Sequence, residues 1–81
     1  MNTNICKLTE LKPNQSGTVH SFLGDNHHLH SRLRELGFTK GCWVTYIRRA
    51  PLGDPIELAI YESHIAIRKI DAMNILIELN I

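Results

Sequence analysis

Leu29, Leu33 and Leu36 fall at i, i+4 and i+7, the stripe of an amphipathic helix, in a chain whose apolar positions otherwise alternate with period two. Asp25 or Asn26 supplies a cap at the start of this helix, and Gly37 stands where a helix end favours a left-handed residue. Residues 18–23 read as a strand leading out of the turn cluster 12–17, in which Asn14 tolerates the left-handed region. Beyond the helix, Val44 and Tyr46 lie on one face of a strand, with Trp43, Thr45 and Ile47 on the other. Ile56, Leu58 and Ile60 alternate with Glu57, Ala59 and Tyr61, the pattern of a half-buried antiparallel strand. Residues 62–64 predict a reversal before Ile65 and Ile67, and residues 69–74 a turn or one helical turn. Ile75, Ile77 and Leu79 alternate as the final strand. Five to six short strands with one early helix predict a mainly β (α+β) fold, a small antiparallel barrel.

The most informative junction is Arg48-Arg49-Ala50-Pro51-Leu52-Gly53-Asp54-Pro55-Ile56, where two strand-like runs meet. Gly53 takes the positive φ of a tight turn, and Asp54 is able to hydrogen-bond back to the backbone. Pro51 and Pro55 lack an N–H, so pairing stops short of the tip, and Pro55 biases Asp54 towards an extended conformation. The expected result is a stiff turn that presents Leu52 and Asp54 outward, the kind of place where a small β scaffold carries a binding surface.

Size and charge narrow the function classes. Eighty-one residues make one domain, its core expected over about residues 8–79, with 43% apolar residues to pack it. Nine Lys and Arg against eight Asp and Glu leave a formal charge of +1, too little for a strong field towards nucleic acid or an anionic membrane. The start of the chain lacks the pattern of a secretory signal, and no apolar run approaches the ~20 residues of a membrane helix. Cys6 and Cys42 form no CxxC and read as reduced thiols. The expectation is a soluble cytoplasmic module with no direct membrane insertion.

Four blocks, in order, carry a resemblance. They are Leu11-x-Pro13-x-x-x-Gly17, Arg32-Leu33-x-Glu35-Leu36-Gly37-Phe38-x-x-Gly41, Arg48-x-Ala50-Pro51-Leu52-Gly53-Asp54-Pro55-Ile56 and Ile65-Ala66-Ile67-Arg68-Lys69-x-x-Ala72. Together the blocks resemble the ferrous iron transport protein A (FeoA) family. The resemblance implies an SH3-like β-barrel with a helical insertion after the first long strand. It also implies a cytosolic accessory role in ferrous iron uptake beside FeoB, the membrane transporter that carries a GTPase domain. Related modules end some metal-dependent repressors, but the helical DNA-binding domain of those chains has no counterpart in this sequence. Two departures stand out. Asn14 replaces a common glycine, and Thr39-Lys40 replaces the usual Leu- or Met-Pro before Gly41, which predicts a looser turn after the helix.

Three sets of residues are candidates for recognition. The first is Pro51, Leu52, Gly53, Asp54 and Pro55 with Trp43, as a protein-docking surface. Its bland reading is a turn that only sets register, yet register does not require an apolar side chain at the tip. The second is His27 and His30, three apart on the helix and able to share a metal ion. Imidazole suits zinc, nickel or copper better than it selects ferrous iron, and two ligands do not complete a site. A third ligand would come from His20, His64, Cys6, an acid or a second molecule, so any divalent metal would be adventitious or regulatory and would bridge a weak homo-oligomer. No cofactor is called for. The third is the basic set Arg32, Arg34, Arg48, Arg49, Arg68 and Lys69. Tight nucleic-acid binding needs roughly 6–10 phosphate contacts on one surface, so these arginines are read instead as the rim of a protein interface. Catalysis has no motif support, since GxSxG, HExxH and GxxxxGK[ST] are all absent. The reading is a non-enzymatic adaptor that docks on FeoB, with a metal-binding or metal-sensing module as the alternative.

Overall fold

Alternating apolar and polar side chains turn most of the sequence into strands. In the computed structural model, which describes residues 4–79, they join in one six-stranded antiparallel sheet. In chain order these are β1 (Ile5–Lys7), β2 (Ser16–Phe22), β3 (Trp43–Arg49), β4 (Ile56–Ile60), β5 (Ser63–Ile67) and β6 (Ile75–Leu79). The helix α1 (His27–Leu36) is inserted between β2 and β3, and the short α2 (Lys69–Ala72) between β5 and β6. The sheet order is β1-β6-β2-β3-β4-β5. Among the described residues β1 and β5 do not pair, so the sheet is open there and closure into a barrel is not seen in its ladder.

The faces of the strands follow the alternation. Val44 and Tyr46 are buried, as are Ile56, Leu58 and Ile60, whereas Trp43, Thr45 and Ile47 lie half-buried on the opposite face. Tyr46 is fully inside, and its hydroxyl accepts a 2.8 Å hydrogen bond from Arg49 Nε. The Arg49 Nη2 group donates onward to the Thr9 carbonyl at 2.7 Å, in the 3-10 turn Leu8–Glu10. A buried phenol is thereby satisfied and β3 is fastened to the entry of the sheet.

Helix α1 begins and ends as its sequence predicts. The Asn26 side chain accepts from the Leu29 N–H at 3.0 Å, and Gly37 closes the helix with φ 113. Phe38 N–H then reaches back to the Leu33 carbonyl and Gly37 N–H to that of Arg34, both at 3.0 Å, a Schellman closure. This closure corrects the helical stripe. Leu29 and Leu33 are buried, but Leu36 is 43% exposed, because the reversal at Gly37 delivers Phe38 to the core in its place. The expected loose turn is also corrected. Cys42 N–H donates to the Thr39 carbonyl at 2.9 Å and closes the turn, while Gly41 N–H donates to the Val19 carbonyl at 2.8 Å and ties the end of the turn to β2. Replacing Asn26 by alanine is expected to lower stability by about 1 kcal/mol through loss of the cap, read by urea denaturation at unchanged slope.

Two elements differ from the periodicity. Strand β1 was not expected: Ile5, Cys6 and Lys7 pair with Glu78, Ile77 and Leu76, and three residues are too few to show a period. The reversal predicted at residues 62–64 lies earlier, at Tyr61-Glu62 with Tyr61 at φ 54, so that Ser63 and His64 already belong to β5. Asn14 takes the left-handed position anticipated for it, at φ 69.

Candidate functional site

The loop between β3 and β4 is built from both strands. The ladder runs to Arg49 opposite Ile56, and Ala50 N–H then donates to the Pro55 carbonyl at 3.0 Å. Gly53 sits at φ 87 and its N–H donates to the Ala50 carbonyl at 2.7 Å, which closes the tip. The side chain left at the end is Leu52, 97% exposed, the most open large apolar residue among those described.

Asp54 does not simply face outward, as its sequence context predicted. It is exposed, but its Oδ1 accepts a 2.9 Å hydrogen bond from the backbone N–H of Lys69, the first residue of α2. The carboxylate satisfies one of the free donors at the start of that helix and clips the loop tip to it. Replacing Asp54 by alanine is expected to cost about 1 kcal/mol and to raise the hydrogen-exchange rate at the Lys69 amide, with the β3–β4 ladder unchanged.

Beside the loop, on the outer side of the sheet, lies a shallow cleft of about 390 Å³ lined by Ile47, Ala50, Pro55, Glu57, His64 and Ala66 among others. Arg48 Nε and Glu57 Oε2 pair at 2.9 Å within the same strand pair. The loop therefore offers an apolar point, a neighbouring groove and a charged margin, the ingredients of a modest protein interface.

Trp43 is not brought to this surface. It opens β3 while the loop follows Arg49, a separation of about 20 Å along the strand. Residues 51–55 form one group, with Trp43 half-buried at the far end of the sheet. Ala50 and Ala66 become groove walls without any mark in the sequence, because short apolar residues near strand ends carry no signal of their own.

His27 and His30 meet edge-on with ring centroids 6.5 Å apart. His30 also stacks against Phe22 at 5.3 Å, and its Nε2–H donates to the Leu23 carbonyl at 3.0 Å, so one ring nitrogen is committed to the backbone. Among the described residues no group of three His, Cys, Asp or Glu is placed to share a metal ion. Four of the six cations of the basic set also have separate tasks. Arg32 pairs with Asp71 at 3.4 Å, Arg48 with Glu57, Arg49 with Tyr46 and Thr9, and Arg34 lies over the Phe22 ring at 5.8 Å. Cys6 and Cys42 are both free, and burial, with the nearby Glu10 charge, pushes the Cys6 thiol up from its ordinary range. No helix among the described residues is long and apolar enough to cross a membrane.

Comparison with known proteins settles the relationship. The sequence model of the FeoA domain family matches residues 6–79. The chain belongs to the FeoA family. The FeoA protein of Chlorobium tepidum has a similar solution structure, with a TM-score of 0.80 at 33% identity over 93% of this chain and 71% of that one. Iron(II) transport protein A of Clostridium thermocellum is similar at a TM-score of 0.83 and 32% identity, over 91% of this chain and 45% of that one. A third similar structure is the FeoA of Stenotrophomonas maltophilia, solved in complex with zinc. It matches at a TM-score of 0.75 and 32% identity over 89% and 88% of the two chains. That protein is described as an SH3 domain protein and put forward as a ferrous iron transport activating factor. A manganese-dependent transcriptional repressor shares the fold at a TM-score of 0.87 and 14% identity, over 99% of this chain and 44% of that one. No curated protein matches the chain. Membership of the FeoA family associates the chain with ferrous iron transport.

Proposed function

We propose that this FeoA-family chain is a non-enzymatic, cytoplasmic accessory protein of ferrous iron uptake that docks on the cytosolic face of a FeoB-type transporter and modulates it. The observation that carries this reading is Leu52, an apolar side chain 97% exposed on a loop held from two directions. An exposed leucine on a flexible loop would lose side-chain and backbone entropy on binding. The Gly53–Ala50 hydrogen bond and the Asp54–Lys69 clip have already ordered this one, so more of the contact energy appears as affinity. We read the open six-stranded sheet as the SH3-like scaffold of the family, and the groove beside the loop as the second half of the contact.

The test is a titration of ¹⁵N-labelled protein with the full-length transporter in nanodiscs, without added metal. Selective loss of amide signals at residues 47–57 and 64–66 is expected. Uniform signal at a large excess of transporter would overturn docking as the function of this surface.

A further inference from the structure

Strand β2 carries an irregularity that the docking loop does not use. Its pairing with β6 runs Val19 opposite Ile77 and then Ser21 opposite Leu76, so His20 is the extra residue of a β-bulge. A bulge re-aims a side chain, and His20 lines a cleft of about 340 Å³ between β2, the end of α1 and the segment that follows it. Half-buried Phe22 supplies the accessible apolar wall, Phe38 lies fully buried in the core beneath the lining, and Arg34, Thr39 and Lys40 form the polar margin. The volume falls at the small end of pockets that take small molecules, and mostly apolar walls with a few polar groups are their usual make-up.

The charge of the lining has one sign. No acidic residue lines the cleft, and neither Arg34 nor Lys40 forms an ion pair among the described residues. The Arg34 guanidinium carbon lies over the Phe22 ring, 5.8 Å from its centroid, within cation–π range. His20 engages Ser21 Oγ through Nδ1 at 3.0 Å, which leaves Nε2 without a partner among the described residues.

We propose that this cleft binds a small organic anion, an aromatic carboxylate or phosphate monoester. Arg34 and Lys40 hold the oxyanion, and the ring lies against the exposed part of half-buried Phe22. Inorganic phosphate would leave the Phe22 wall wet, and a neutral aromatic would leave the cations unpaired, so each binds more weakly than the combination. The site is distinct from the docking loop. Phe38, Thr39 and Lys40 precede β3 whereas the loop follows it, about 20 Å along the strand. Ligand and partner are therefore able to be bound together.

The experiment is an amide-shift titration of the full chain at constant ionic strength with phenyl phosphate, benzoate, inorganic phosphate and benzyl alcohol. Either or both of the aromatic anions should shift residues 19–22 and 38–40 saturably, about tenfold or more tighter than inorganic phosphate or the alcohol. Arg34→Gln should weaken the binding by about tenfold or more, while Leu52→Asp leaves it unchanged. The proposal is overturned if neither aromatic anion saturates, if inorganic phosphate binds as well, or if Arg34→Gln binds as tightly as the parent. It is equally overturned if a capped Glu-Phe dipeptide binds tenfold better than both aromatic anions, which would assign the cleft to an acidic segment of a protein. Failure of the cleft leaves the loop reading intact, because the two titrations report on different residues.

Discussion

Leu52→Asp is expected to weaken docking on the transporter about thirtyfold or more while leaving the fold untouched. The leucine is 97% exposed, so the substitution removes no core contact, and stability should stay within about 0.5 kcal/mol of the parent. At an interface the balance reverses. A well-placed apolar anchor contributes about 2 kcal/mol or more, and a carboxylate in its place must be desolvated without a partner. The pair of measurements is a thermal melt and an affinity by biolayer interferometry on nanodisc-embedded transporter. An unchanged affinity would remove Leu52 from the contact. A lowered melting temperature would mean instead that the loop tip packs on something in the folded protein.

Gly17→Ala is expected to be the most damaging small substitution in the sheet, lowering stability by about 3 kcal/mol and the melting temperature by about 15 °C. The reason is space and not backbone freedom. Gly17 is buried in β2 opposite Leu79 of β6 and Val44 of β3. A Cβ there would lie 2.5 Å from the Glu78 carbonyl oxygen and 2.6 Å from Ile77 Cγ2. The oxygen belongs to the paired strand, so relief requires β2 and β6 to part, at the expense of ladder bonds and of the core that Ile75 and Ile77 share. An 81-residue domain has only about 4–12 kcal/mol in hand, so the loss is a large fraction of the total. Differential scanning calorimetry decides it; a shift under about 5 °C would mean that the strands yield at little cost.

Most of the scaffold was legible because it rests on local rules. The Asn26 cap, the left-handed Gly37 and Gly53, and the left-handed Asn14 each follow from side-chain chemistry within a few residues. The inward face of β3 and β4 follows from period two, which holds from Val44 to Tyr46 and from Ile56 to Ile60. The candidate loop was also visible, since prolines on both sides of Leu52-Gly53-Asp54 announce a stiff tip wherever they occur. The ordered blocks from Leu11 to Ala72 carry the resemblance to the FeoA family by sequence alone.

The remainder depended on residues far apart in the chain. Asp54 finds Lys69, 15 positions away, and Arg49 finds Thr9, 40 positions away. Three residues of β1 become a strand only because β6 is there to pair with them. Trp43 and Leu52 are nine positions apart, a spacing that leaves their separation undefined until β3 is known to run as one strand from Trp43 to Arg49. The cleft around His20 needs the bulge in β2, and the bulge exists only in the register against β6. Local sequence thus determined which residues turn, cap and face inward, because those preferences are set by each residue's own torsions and by hydrogen bonds to near neighbours. Only the tertiary structure decided which of the exposed groups stand together, because that placement follows from long-range strand pairing, to which the pattern of any single segment is blind.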